Sequence, residues 1–222
     1  MSTAHAPLDP RLEVVDRLRE RVAAMESRPA RLPVPTLPAL AGVAPMHAGA
    51  TYGVDSATLA LAMAAGASQA GEWVGFAGWG DFGVEAAAGL GIALDRTVLV
   101  PDPGEHWLEV TAALIDVLRV VVLRPSVAPD ERSAGILDSR LRTRSAVLVV
   151  WGEWPGCEAR VSLEQGRWTG PEAGRGRLRS RHARVVVRRG ARPPVRADLT
   201  FSGGVEAVAP PSLAPRRWGA SG

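Results

Sequence analysis

Short apolar runs separated by helical segments constrain this chain most. Glu72–Gly78 (EWVGFAG), Thr97–Pro101 (TVLVP), Val120–Arg124 (VVVLR) and Ala146–Glu153 (AVLVVWGE) have strand length and are apolar enough to be buried on both faces. Between them, Phe82–Leu90, Pro103–Arg119 and Pro129–Thr143 read as helices, the second with Trp107, Val110, Leu114 and Leu118 on one face. Strands alternating with helices predict a mostly parallel sheet in an α/β sandwich. After Trp154 the pattern changes to alternation. Ala159–Leu163, a Gln165–Gly166 turn, Arg177–Arg188 and Val195–Phe201 read as an antiparallel meander.

The ends have a different character. Leu8–Ser27 is an amphipathic helix whose Leu12, Val15, Leu18 and Val22 recur every three or four residues. That stripe needs a partner, either in its own domain or on another chain. Five prolines between Pro29 and Pro45 predict an extended, semi-rigid connector. The expected organisation is therefore residues 1–28 as N-terminal helix, 29–45 as Pro-rich linker, 46–202 as core and 203–222 as flexible tail. Asp9, Arg11 and Glu13 interrupt the start before a signal-peptide core develops, and Ala57–Gly71 is too short and too rich in Ala, Gly and Ser to span a bilayer. These features predict a cytoplasmic protein with no membrane partner; association with the nucleoid is compatible with them.

His47–Ala70 (HAGATYGVDSATLALAMAAGASQA) runs from a glycine-punctuated turn into an apolar helix, where an ATPase would hold its phosphate loop. The pattern G-x-x-x-x-G-K-[ST] supplies backbone N–H groups, a lysine and a magnesium-binding hydroxyl. Downstream of Gly53, however, Asp55 stands where the last glycine belongs, Ser56 where lysine belongs and Ala57 where Ser/Thr belongs. All 26 Lys+Arg residues are arginine, so no lysine elsewhere can substitute. Read without that comparison, the stretch is an ordinary strand–turn–helix with Asp or Ser as cap. With Cys157 as the sole cysteine and four scattered histidines, no metal site and no cofactor are expected.

A formal charge of +3 conceals two opposite halves. From Leu32 to Leu118 the only arginine is Arg96, amid nine carboxylates, whereas Arg160–Arg196 is crowded with arginines opposed by Glu164 and Glu172. Arg175, Arg177, Arg179 and Arg181 alternate, so on a strand they would share a face, and Arg184, Arg188 and Arg189 would continue it. Such a patch suits DNA or an acidic partner, or serves as a solvated edge that resists aggregation.

The run GVDSATLALAMAAGASQAGEWVGFAG, followed by GLGIALDRTVLVPDPGEHWLEVTAALIDVLRVVVLRP, resembles the core of RecA recombinases. The missing ATPase residues, the Arg-rich LRSRHARVVVRR segment and the length are similar to the RecA-like ImuA family, in its actinobacterial ImuA-prime branch. The resemblance spans roughly Pro45–Phe201 and implies a RecA-like three-layer sandwich with a mostly parallel sheet and C-terminal antiparallel strands. In active relatives a Walker B aspartate ends the strand matching Val120–Leu123; here Arg124 occupies that end. Gly78–Trp79 falls where the water-polarising acid belongs, and Trp151–Gly152–Glu153 where a sensor glutamine follows its strand.

The resemblance therefore implies a non-catalytic adaptor in SOS-induced translesion synthesis and mutagenesis. Its implied partners are an ImuB-like Y-family polymerase homologue, RecA, the error-prone polymerase alpha subunit and other copies of itself. Leu12, Val15, Leu18 and Val22 are the candidate docking residues. The alternatives are a single-stranded DNA-binding protein using the arginines between residues 175 and 196, or a SulA-like cell-division inhibitor. Of the tryptophans that stand out, Trp73, Trp79, Trp151 and Trp154, the two at strand ends, Trp79 and Trp154, are candidates for base stacking or partner anchoring, against plain packing.

Overall fold

A computed structural model describes residues 31–170, 180–202 and 204–207. The chain divides into the units Met1–Leu32 and Pro33–Gly222, and the architecture that follows belongs to the second. Its elements are β1 (Pro33–Val34), α1 (Pro38–Ala41), β2 (Met46–His47), β3 (Ala50–Val54), α2 (Ala57–Gln69), β4 (Val74–Ala77), α3 (Val84–Gly89), β5 (Thr97–Val100), α4 (Trp107–Val117), β6 (Val120–Leu123), α5 (Glu131–Arg144), β7 (Val147–Trp151), β8 (Ala159–Thr169), β9 (Ser180–Arg188), β10 (Val195–Phe201) and β11 (Val205–Ala207). Short 3₁₀ turns at Leu94–Arg96 and Gly104–His106 precede β5 and α4.

Nine strands form one sheet in the order β11-β10-β9-β8-β3-β7-β6-β4-β5. The ladders from β8 through β3 to β5 are parallel, and those from β8 to β11 are antiparallel. Alternate residues of the parallel strands enter two separate cores, which is why those strands read as continuous apolar runs. Val120, Val122, Val147 and Val149 pack with α1 and α2 on one face. Val121, Leu123, Leu148 and Val150 pack with α4 and α5 on the other. The molecule is thus a mixed α/β sandwich with a large, mostly parallel sheet.

Helix α2 is apolar nearly all round because it is enclosed. Every residue from Leu59 to Ser68 is buried, and its alanines allow close approach from both sides. Part of its cover is the segment expected to be a connector. Residues 33–45 are not extended: β1 pairs with β2, α1 forms one turn, and Val34, Leu37, Leu40, Val43 and Ala44 are buried in the α2-side core. Proline count misled here because Pro38 serves at the start of a helix and Pro33 in an edge strand, two positions where a missing N–H costs little.

Two further expectations are corrected. Gln165–Gly166 is not a hairpin turn; β8 continues through it to Thr169 with a bulge between Glu164 and Arg167, and its pairing with β9 runs on to Thr169↔Ser180. The ordered sheet also extends past residue 202, since β11 pairs with β10. The N-terminal helix of residues 1–28 and the tail after Ala207 lie outside the described residues.

Candidate functional site

Open α/β sheets hold ligands at the carboxyl ends of their parallel strands. At the end of β3, the stretch expected to form a loop is strand, and Gly53 lies within it, buried. A Cβ on Gly53 would stand 3.3 Å from Arg160 Nη1 and 3.6 Å from Cys157 Sγ. Only Asp55 and Ser56 connect β3 to α2, with Ala57 already helical. The Asp55 carboxylate accepts from the Leu163 backbone N–H at 3.1 and 3.3 Å, prolonging the β3–β8 ladder beyond its Val54↔Val161 rung. Ser56 Oγ accepts from Leu59 N–H at 3.4 Å as the helix cap. A phosphate cradle needs several successive N–H groups curled round the anion. This two-residue connection has no room for one.

The ends of β4, β6 and β7 close over the neighbouring space. Gly78, at φ 73°, donates to Val100 O, while Arg124 N–H donates to Ala77 O. A side chain at position 78 would run into the Arg124 carbonyl, so glycine is required there. Beyond it, Trp79 is only 4% exposed; its ring packs edge-on against Phe76 and Phe82 and lies 4.8 Å from that of Trp151. Arg124 roofs the cluster, its guanidinium 4.2 Å from the Trp151 ring and 2.7 Å from Asp81 Oδ1. Glu153 accepts from Arg160 Nη2 at 2.6 Å, and Arg160 Nη1 also donates to Gly152 O. Trp154 is buried in the α5-side core. These side chains do not fit a nucleoside triphosphate: only two residues separate β3 from α2, and an arginine already paired to Asp81 stands at the end of β6. Among the described residues no cluster of three or more His, Cys, Asp or Glu is arranged to hold a metal ion.

Among the described residues, the arginines of the antiparallel half do not all share one face. Arg184 and Arg188 lie on one face of β9 and Arg181 on the other, as alternation requires. Arg184 makes a bidentate pair with Asp198 at 2.8 and 3.1 Å. Hydrogen bonding to Arg184 holds the Asp198 carboxyl below the usual carboxylate range, and the same bond raises Arg184. Arg188 pairs with Glu164 and donates to Ser162 Oγ; Arg189 donates to Val43 O. Arg175, Arg177 and Arg179, like Leu12, Val15, Leu18 and Val22, lie outside the described residues. Sequence reading missed Asp81, Phe82 and Arg160 as the groups that occupy the strand edge, since each acts through a partner distant in sequence. Trp73 and Trp168 are half exposed at 49% and 53%, the latter also unremarked from sequence.

The fold and this edge define a class: an α/β sandwich whose central strand runs through a minimal, capped turn into a buried helix. The chain belongs to the family described by the MT3502 N-terminal domain, whose model matches residues 38–156. That match begins with α1 and stops just before β8. The chain is also 34% identical over 147 residues to the uncharacterized protein Rv3395c of Mycobacterium tuberculosis, covering 65% of this chain and 70% of that one. No helix among the described residues is long and apolar enough to cross a membrane.

Proposed function

We propose that this protein is a non-catalytic accessory protein of RecA-like, ImuA type that acts by connecting other components of translesion DNA synthesis. The observation that carries the reading is the filled strand edge, where Asp55, Ser56 and Arg124, the residues at the phosphate-loop and Walker B positions, each have an intramolecular partner. Two further features support it. The span of the RecA resemblance, roughly Pro45–Phe201, supplies eight adjacent strands of one sheet, from β10 to β5, with helices on both faces, and β3, within the His47–Ala70 stretch, stands inside that sheet between β7 and β8. A mycobacterial relative is compatible with the actinobacterial branch of that family.

In this reading the protein works through surfaces. The N-terminal stripe of Leu12, Val15, Leu18 and Val22 is the proposed contact for an ImuB-like polymerase subunit, RecA or a second copy, because a buried Leu or Val contributes about 1.5–3 kcal/mol. Replacing Leu18 and Val22 together by Asp is expected to abolish capture of the ImuB-like subunit by the purified chain while leaving its thermal unfolding unchanged. Undiminished capture by that double variant overturns the assignment. Capture of the tubulin-like division protein in place of the polymerase subunit would favour a division inhibitor of SulA type.

A further inference from the structure

The geometry points to the end of the β8–β9 ribbon, Gln165–Thr169 with Ser180–His182, as a docking site for single-stranded nucleic acid. This inference does not depend on the adaptor reading, and either can fail alone. Through Val161, β8 lies between β3 and β9. Beyond that rung β3 ends, so from Glu164 onward β8 is an edge, and all five residues from Gln165 to Thr169 are exposed.

The bulge sets what this edge displays. Gln165 adopts φ 53°, and Gly166 lies so close to Arg181 that a Cβ would stand 2.9 Å from its Nε. Inserting one residue reverses the alternation of everything that follows. Arg167 consequently stands opposite His182 on one face, and Trp168 opposite Arg181 on the other. The Arg181 guanidinium lies 5.5 Å from the Trp168 ring centre. Its buried Nε has no acceptor among the described residues. An indole held by an arginine at the lip of an open strand is a platform for an unstacked base, with Arg167 within reach round the edge for the adjoining phosphate.

Charge favours a polyanion at this place over the rest of the sheet. Arg160, Arg184 and Arg188 are neutralised by Glu153, Asp198 and Glu164. Arg167 makes no ion pair among the described residues, and the ribbon end, Gln165–Thr169 with Ser180–His182, carries Arg167 and Arg181 and no carboxylate. A duplex would satisfy the arginines but offers no free base face to Trp168, and an acidic protein has no need of the indole.

The test is fluorescence anisotropy of the 222-residue chain with a labelled 30-nucleotide oligo-dT, the matching duplex and polyglutamate, at 50 and 200 mM salt. Oligo-dT is expected to bind more tightly than either competitor. Trp168→Ala should weaken that binding at least about fivefold, as loss of one stacked base does. Arg167→Gln should flatten the salt dependence by about one phosphate contact, and Arg132→Ala on α5 should change nothing. Circular dichroism of each variant checks that the sheet is intact; Trp168 is exposed enough for its loss to be tolerated. Equal affinity for duplex, no binding of oligo-dT at 50 mM salt, an unchanged Trp168→Ala, or Trp168-dependent binding of polyglutamate in preference to oligo-dT each overturns the inference.

Discussion

Gly66→Ala separates the two accounts of residues 33–45 by the sign of its effect. In an exposed helix interior the substitution stabilises by about 0.5–1 kcal/mol, because alanine has less chain entropy to lose and favours helix. Gly66 is instead covered: a Cβ there would stand 2.5 Å from Thr36 Cα and C and 2.6 Å from Leu37 N. Carbon contacts settle at about 3.5–4.0 Å, so the segment carrying Leu37 and Leu40 must lift by about an ångström or α2 must leave the sheet. Overpacking of this kind costs about 1–3 kcal/mol, more than helix propensity returns. The expected result is a net destabilisation of about 1–2 kcal/mol, which in a chain of this size lowers Tm by roughly 2–8 °C. Gly135→Ala provides the contrast, since Gly135 is exposed in α5 and its Cβ would meet nothing within 4 Å. It should raise Tm. Urea titrations of both variants, compared at equal m, are the assay. A Gly66→Ala protein more stable than wild type would refute the packing and restore the extended connector.

Two other perturbations test neighbouring parts of the structure. Leu40→Ala removes a fully buried side chain of α1 and should cost about 2–5 kcal/mol in the same urea assay, whereas a free connector would lose almost nothing. Asp198→Asn should narrow the stability advantage of wild type in a pH-dependent way. Because Arg184 depresses the folded Asp198 pKa, its contribution is complete above the unfolded carboxylate value of about 4 and falls away as pH drops through the folded value. Thermal melts of both proteins from pH 7 to pH 2 should therefore converge only below about pH 4; convergence at higher pH would disprove the pairing.

The parallel half was legible because burial on both faces leaves a strong imprint. Val120–Leu123 and Val147–Val150 could be nothing but central strands, and their neighbours fell into place around them. Helix starts were harder to locate. The segment expected from Pro103 begins as a 3₁₀ turn, and α4 proper starts at Trp107, since no side chain caps its first turn. The bulge in β8 escaped notice because Gln165–Gly166 has the composition of a turn and only pairing with His182 and Arg184 distinguishes the two. At the candidate site, the motif pattern identified Asp55 and Ser56, with Ser56 as a cap, and the RecA resemblance identified Arg124, but the partners Leu163 of Asp55 and Asp81 of Arg124 come from tertiary structure. Alternation rightly separates odd from even arginines on β9, so the single patch joining Arg181 to Arg184 was a misreading available to correction from sequence alone.

Those partners also determine whether a phosphate loop could be restored by substitution. Ser56→Lys with Ala57→Thr reinstates the lysine and hydroxyl of the motif, so a purely chemical deficit would be repaired. The geometric deficit would remain, since β3 still runs to Val54 and hands over to α2 after two residues. Lysine at position 56 would moreover remove the Ser56 cap, at about 1 kcal/mol, and place a cation at the positive end of the helix. The double variant is therefore expected to be less stable than wild type and to show no heat of binding with ATP and Mg²⁺ in titration calorimetry. Micromolar binding would mean that the β3–α2 connection can open into a cradle, and that side-chain identity, not the length of the turn, had kept nucleotide out.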